Sequence, residues 1–245
     1  MHHRVYLNSV TDPRGWAQLE LRLYTDSMSM DRELSRRQVL AAGIVLGGGL
    51  VAAGPGWAAE LLARTPRQTA GPFYPQERPL DADGDLTTVA GRPGQAQGQV
   101  LDLMGRVLDP HGEPVAGARV EIWQANAFGR YRHPWDSGTA SLDPSFAGFG
   151  VQTTDTQGRY RFRTVKPAAY PASRGWTRTP HIHFQVIRGD ESLVTQMYFP
   201  GEPLNESDFL FQAVGNQAAV TAALQPPTPD REAGSLRAIW DIVLA

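Results

Sequence analysis

The chain has 245 residues, 41% hydrophobic and 20% charged, a balance that supports a packed core and excludes a disordered or collagen-like polymer. A formal net charge of −2 with no long basic run leaves no electrostatic footprint for nucleic acid. The absence of cysteine excludes disulfides, thiolate zinc sites, iron–sulfur clusters and a cysteine nucleophile, so any metal must be held by nitrogen and oxygen.

In chain order, residues 1–27 read as an upstream leader, with Met28 or Met30 the more natural start. Residues 28–58 carry "SRRQVLAAGIVLGGGLVAAGPGWA", in which paired arginines precede a glycine-rich apolar run and a small-residue ending at Ala58. This is the pattern of a twin-arginine export signal and predicts a periplasmic or extracellular protein. The apolar run falls short of the about 20 residues that a membrane span needs, so no stable span is expected after signal removal. Residues 59–98, rich in proline and glycine, read as an extended arm lying over the domain that follows.

From 99 to 245 short alternating runs are punctuated by Gly/Pro/Asp turns, which predicts an all-β antiparallel sandwich with long loops and little helix. "VLDLMGRVLD" and "ARVEIWQA", separated by "PHGEP", are expected to form a hairpin-like pair. "FGVQTTDTQGRYRFRTV" repeats the idea, with Tyr160, Phe162 and Thr164 on one face. "HIHFQVI" and "SLVTQMYF" supply a further pair, helix is expected only around 206–224, and "LRAIWDIVLA" closes the chain as a strand.

Within "PHIHFQV" the period of two turns His181 and His183 to one side, about 7 Å apart along the strand, while Ile182, Phe184 and Val186 face the core. Two imidazoles so placed can converge on one metal, or can simply be polar members of a half-exposed strand. A cupin-like site needs a carboxylate shortly after the second histidine, where this chain has Ile187 and Arg188. The ferrous facial triad needs a carboxylate where His183 stands, and a superoxide-dismutase-type copper site needs more histidines than His111, His133, His181 and His183. Tyrosine is the remaining strong oxygen ligand. Tyr131 in "GRYRHP" and Tyr170 in "KPAAYP" occupy loops; singly, each reads as a packed ring with an anchored hydroxyl. Together with His181 and His183 they make an N₂O₂ set, whose phenolates favour ferric iron over zinc or copper.

These residues resemble the intradiol ring-cleavage dioxygenases, most closely the protocatechuate 3,4-dioxygenase branch. The resemblance is carried by "GRVLDPHGEPVAGARVEIWQANAFGRYRH", "LDPSFAGFG", "TDTQGRYRFRTVKPAAYP", "RTPHIHF" and "TQMYF", with "QTAGPFYP" and "WDIVL" as weaker extensions. It implies a mononuclear non-haem Fe(III) bound by Tyr131, Tyr170, His181 and His183, with Tyr170 the ligand released when a catechol-type substrate chelates. It further implies that Arg178 sits beside the bound catecholate, that Gln196 supports the site, and that Gly71 and Pro72 line the substrate pocket. Both atoms of O₂ are then expected in a cis,cis-muconate-type product. Like-fold pairing in the family makes a homo-oligomer or a related partner subunit the expectation. One departure bears on substrate: two residues after the released tyrosine the protocatechuate enzymes typically carry tryptophan, and here the residue is Ala172, with Trp176 further along the loop. A competing reading is a transthyretin-like β-sandwich binding module without catalysis, which "GRVLDPHGEPVAGARVEIW" taken alone also fits.

Overall fold

A computed structural model describes residues 61–78, 82–226 and 232–244, together with two short strands near the front of the chain. Those strands, β1 (Ser9–Thr11) and β2 (Ala17–Leu19), pair antiparallel within the first of two compact units, Met1–Gly56. The segment 28–58, expected to be an export signal, and the rest of residues 1–27, expected to be a leader, lie outside the described residues. Among the described residues no helix is long and apolar enough to cross a membrane.

The second unit is a two-layered sandwich. One sheet orders β10 (Glu191–Tyr198), β9 (His181–Arg188), β4 (Arg119–Trp123) and β5 (Phe149–Thr153), every pair antiparallel. The other is built around β3 (Val100–Leu108), which pairs antiparallel with β6 (Arg159–Val165). On its other side β3 runs parallel to β12 (Leu236–Ile239) and β13 (Ile242–Val243), and β11 (Ala223–Gln225) edges β12. The predicted closing strand is thus interrupted at Trp240. Its carbonyl leaves the ladder to accept from the Tyr160 hydroxyl at 2.6 Å, and a Cβ on Gly105 would stand 1.8 Å from that oxygen. Only glycine fits there.

The expected hairpins need correction. β3 and β4 do not pair, nor do β5 and β6; each turn instead carries the chain from one sheet to the other. The turn chemistry itself holds: Asp109 Oδ1 accepts from the His111 and Glu113 amides, and Asp155 Oδ1 from Gln157 and Arg159. Alternation tells which residues face the core, and Leu101, Leu103 and Val107 of β3 meet Val120 and Ile122 of β4 in that core. It carries no information on which edge each strand pairs with.

Among the described residues helix is confined to a 3₁₀ turn at Pro203–Glu206, one α-turn, α1 (Phe209–Gln212), and a second 3₁₀ turn at Gln217–Val220. Along the arm, the Leu62, Thr65 and Gln68 amides donate to the Pro110, Val243 and Val194 carbonyls of the domain. The arm also enters the domain: Leu86 is fully buried in the central core.

Candidate metal and substrate site

Ile182, Phe184 and Val186 are fully buried in the core, as the period of two requires, which turns His181 and His183 to the outer face of the four-stranded sheet. Register sets Trp123 of β4 opposite His183, and Gln196 and Tyr198 of β10 opposite His183 and His181. Such a face would normally be wet. Here it is roofed by residues 66–78, by the loop that carries Tyr131, and by an antiparallel ribbon of β7 (Tyr170–Ser173) and β8 (Trp176–Arg178). Tyr170, expected in a loop, is the first residue of this ribbon and pairs with Arg178.

The four ligand candidates converge. The Nε2 atoms of His181 and His183 stand 3.2 Å apart with both rings buried. The Thr179 carbonyl can only accept, so its 2.6 Å contact with His181 Nδ1 puts the proton there and leaves Nε2 with a free lone pair. Trp123 stacks on His183 with centroids 4.9 Å apart and planes 8° from parallel. The Tyr170 ring lies 5.6 Å from His181 and 5.2 Å from Tyr131, whose ring is 6.4 Å from His183. The Tyr131 amide donates to Asp136 Oδ2 at 2.7 Å, while its buried hydroxyl makes no well-formed hydrogen bond and has the Tyr170 phenol as its polar neighbour. A buried hydroxyl so poorly satisfied costs up to about 1–3 kcal/mol.

Electrostatics point the same way. Burial, then the Arg178 charge, lowers His181 to about 3, and burial with the neighbouring His181 and Arg178 holds His183 well below its ordinary value. Both rings are neutral donors at any ordinary pH. Burial, then the neighbouring Tyr170, pushes the Tyr131 phenol well up; burial also raises Tyr170, against the opposing pull of Arg178. Phenolates will form here only against a strong local cation. Two neutral nitrogens and two phenols that require such a charge fit a hard trivalent metal. Among the described residues no group of three or more His, Cys, Asp or Glu is placed to hold a metal ion.

Beside the ligands, Arg178 is 3% exposed. Its Nε donates to Asp208 Oδ2 and its Nη2 to Gln196 Oε1, both at 2.7 Å. Gln196 Nε2 in turn donates to the Thr69 carbonyl, and the Tyr198 hydroxyl to Gln68 Oε1 at 2.9 Å, so the arm is tied to this network. Gly71, at φ +65°, closes on His183: a Cβ there would stand 3.4 Å from Cε1. Pro72 is exposed beside it. Phe73 stacks on Tyr131 at 4.5 Å and meets Tyr170 edge-on at 6.0 Å. Tyr74 is a packing residue, edge-on to Trp123 with its hydroxyl on Glu121 Oε2. Trp176 stacks on Phe209 at 3.8 Å and lies 5.5 Å from the Arg178 guanidinium.

Sequence reasoning missed Trp123, Phe73, Tyr198 and Asp208. Trp123 was hidden as an ordinary outward strand residue. Asp208 did have a signal, standing as an N-cap before "FLFQ", but a cap reads as local structure.

A family profile described as Dioxygenase matches residues 69–245. The protocatechuate 3,4-dioxygenase beta chain of Burkholderia cepacia is 47% identical over 158 residues, covering 62% of this chain and 66% of that one. The hydroxyquinol 1,2-dioxygenase of Rhizobium sp. (strain MTP-10005) is 35% identical over 155 residues, 58% of this chain and 50% of that one. The match thus spans between half and just under two thirds of the length of these two relatives. Among solved structures, the dioxygenase domain of a dioxygenase–carbohydrate-binding protein fusion from Streptomyces sp. SirexAA-E superposes with a TM-score of 0.57 at 30% identity, covering 74% of this chain and 98% of that one.

Proposed function

The chain belongs to the intradiol ring-cleavage dioxygenase family, and from that premise we propose that it opens a catechol-type ring between its two hydroxylated carbons with O₂, using a mononuclear non-haem Fe(III). Tyr131, Tyr170, His181 and His183 would hold the metal. The observation that carries the reading is the pair of neutral, buried Nε2 atoms 3.2 Å apart, ringed by two buried phenols. A binding module without catalysis has no use for that arrangement, and the family match across 69–245 speaks against it.

Bound there, ferric iron supplies a Lewis acid and electron acceptor that makes a catecholate ring reactive toward O₂. The residues do the rest. His181 stays fixed in one tautomer by Thr179. Tyr170, paired with Arg178 across the ribbon and ionised only against the metal, would take up a substrate hydroxyl proton on its phenolate oxygen. Arg178 is a permanent cation held rigidly in a dry pocket, where it offsets negative charge developing on the ring far more strongly than it would in water. Phe73, Trp123 and Tyr170 exclude water from around the ligands.

At Ala172, exposed on the ribbon, the chain lacks the tryptophan typical of the protocatechuate enzymes, which supports catechols in general as the substrate class, with carboxylated, alkylated and hydroxylated rings all candidates. The paired arginines at 36–37 support export of the folded protein, and the alpha- and beta-chain relatives support assembly with itself or a related subunit. Purified protein loaded with iron should be red from tyrosinate-to-iron charge transfer, change colour with anaerobic catechol, and yield a cis,cis-muconate-type diacid in air. Protein that stays colourless with added iron would sink the assignment.

A further inference from the structure

A fully buried carboxylate outside the ligand set, Asp208, accepts four hydrogen bonds. Its Oδ1 takes the Leu210 and Phe211 amides, capping α1. Its Oδ2 takes Arg178 Nε at 2.7 Å and the Thr179 amide at 3.0 Å. We propose that Asp208 is a positioning residue serving both halves of the site at once: it aims the Arg178 guanidinium, and it anchors the Thr179 peptide that orients His181. The roles of Arg178 and His181 rest on the function proposed above; the anchoring does not.

The first half follows from charge. Arg178 and Asp208 face each other almost without water, so the guanidinium plane is set by its bonds to Asp208 and Gln196 and not by solvent. The second half follows from connectivity. The Thr179 amide is held by Asp208 and its hydroxyl donates to Asn205 Oδ1 at 2.8 Å, which leaves its carbonyl in place to accept from His181 Nδ1. Capping alone does not require a carboxylate. Serine or asparagine satisfies helix-end amides equally well. Only an anion satisfies two helix amides, a third amide and a buried cation together.

The test compares Asp208→Asn and Asp208→Ser in the full chain. Both retain a capping oxygen and discard the charge partner of Arg178. Turnover per bound iron should fall about 10–100-fold in each, the usual effect of losing a group that orients a site. In iron-free wild-type protein the Arg178 Nε–H, assigned by its loss in Arg178→Lys, should give a slowly exchanging proton signal, and that signal should vanish in both variants. Wild-type turnover per iron in a folded variant, or rapid exchange of the wild-type signal, overturns the proposal. Should neither variant fold, the wild-type exchange measurement still decides. Failure of the wild-type protein to cleave any catechol would defeat the functional reading while leaving the anchoring to be judged by that signal.

Discussion

Acidification of the metal-free protein should destabilise it through its two buried histidines. Above pH 6.5 His181 is neutral whether the chain is folded or not, and contributes no pH dependence. Between 6.5 and about 3 the unfolded chain takes up a proton that the folded site refuses. Stability present above the unfolded value is therefore lost as pH falls, and the loss levels off only below about 3. At about 1.4 kcal/mol per pH unit, His181 alone removes about 2 kcal/mol by pH 5 and about 5 kcal/mol across the whole window. His183 is shifted in the same direction and adds to this. At pH 5 ordinary carboxylates, near 4, are still ionised, so the effect is separable from general acid denaturation. Guanidinium chloride midpoints measured with a chelator at pH 8, 7, 6 and 5 should fall steadily in the wild type, and more shallowly in the doubly substituted His181→Gln, His183→Gln protein. A flat wild-type profile between pH 7 and 5, or an equal slope in the double variant, would refute the neutral-histidine argument.

Tyr131→Phe removes a poorly satisfied buried hydroxyl, and should leave the iron-free protein at least as stable in thermal melts while lowering iron retention and shifting the visible band; a clear loss of iron-free stability would contradict it. Gly71→Ala forces a left-handed backbone on alanine at a cost of about 1–2 kcal/mol and presses a methyl toward His183, so both the melting temperature and the colour of the iron-loaded protein should change. Leu86→Ala should cost about 2–5 kcal/mol in equilibrium unfolding. A loss below about 1 kcal/mol would mean that the arm merely covers the sandwich.

The alternation in "HIHFQV" located the two histidines and the core they back onto, because a strand's period of two is a property of the residues themselves. Tyr131 and Tyr170 were legible only as members of a set, since a buried loop tyrosine is commonplace; their distances to the histidines depend on how distant segments pack. Strand pairing was not legible. The Asp109 and Asp155 turns look alike to a hairpin's turn and to a crossing between sheets, and what separates the two is whether β3 finds β6, 51 residues later, a better partner than β4. Asp208 was readable as a cap but not as part of the site, for the same reason: the cap lies within its own segment, whereas its partner Arg178 is 30 residues upstream.

The crossing between sheets is also what makes a site possible. Had β3 and β4 paired as a hairpin, β4 would lie beside β3 in the other sheet, and Trp123 would not stand opposite His183. Because the chain changes sheets, β4 falls between β5 and β9, and the outer face there combines Trp123, His181, His183, Gln196 and Tyr198 from three strands. That face depends for its dryness on segments outside the sheet. Gln68 bonds at once to the Tyr198 hydroxyl and, through its own amide nitrogen, to the Gln196 carbonyl, and Gln196 reaches back to Thr69. To these hydrogen bonds the arm adds ring packing of Phe73 on Tyr131 and of Tyr74 on Trp123, a smaller apolar patch than the continuous core between the two sheets. Loosening of residues 66–74 must break those ring contacts as well as the hydrogen bonds but leaves the core between the sheets intact, so it should cost less than unfolding of the sheets and tie how long the site stays dry to the local stability of the arm.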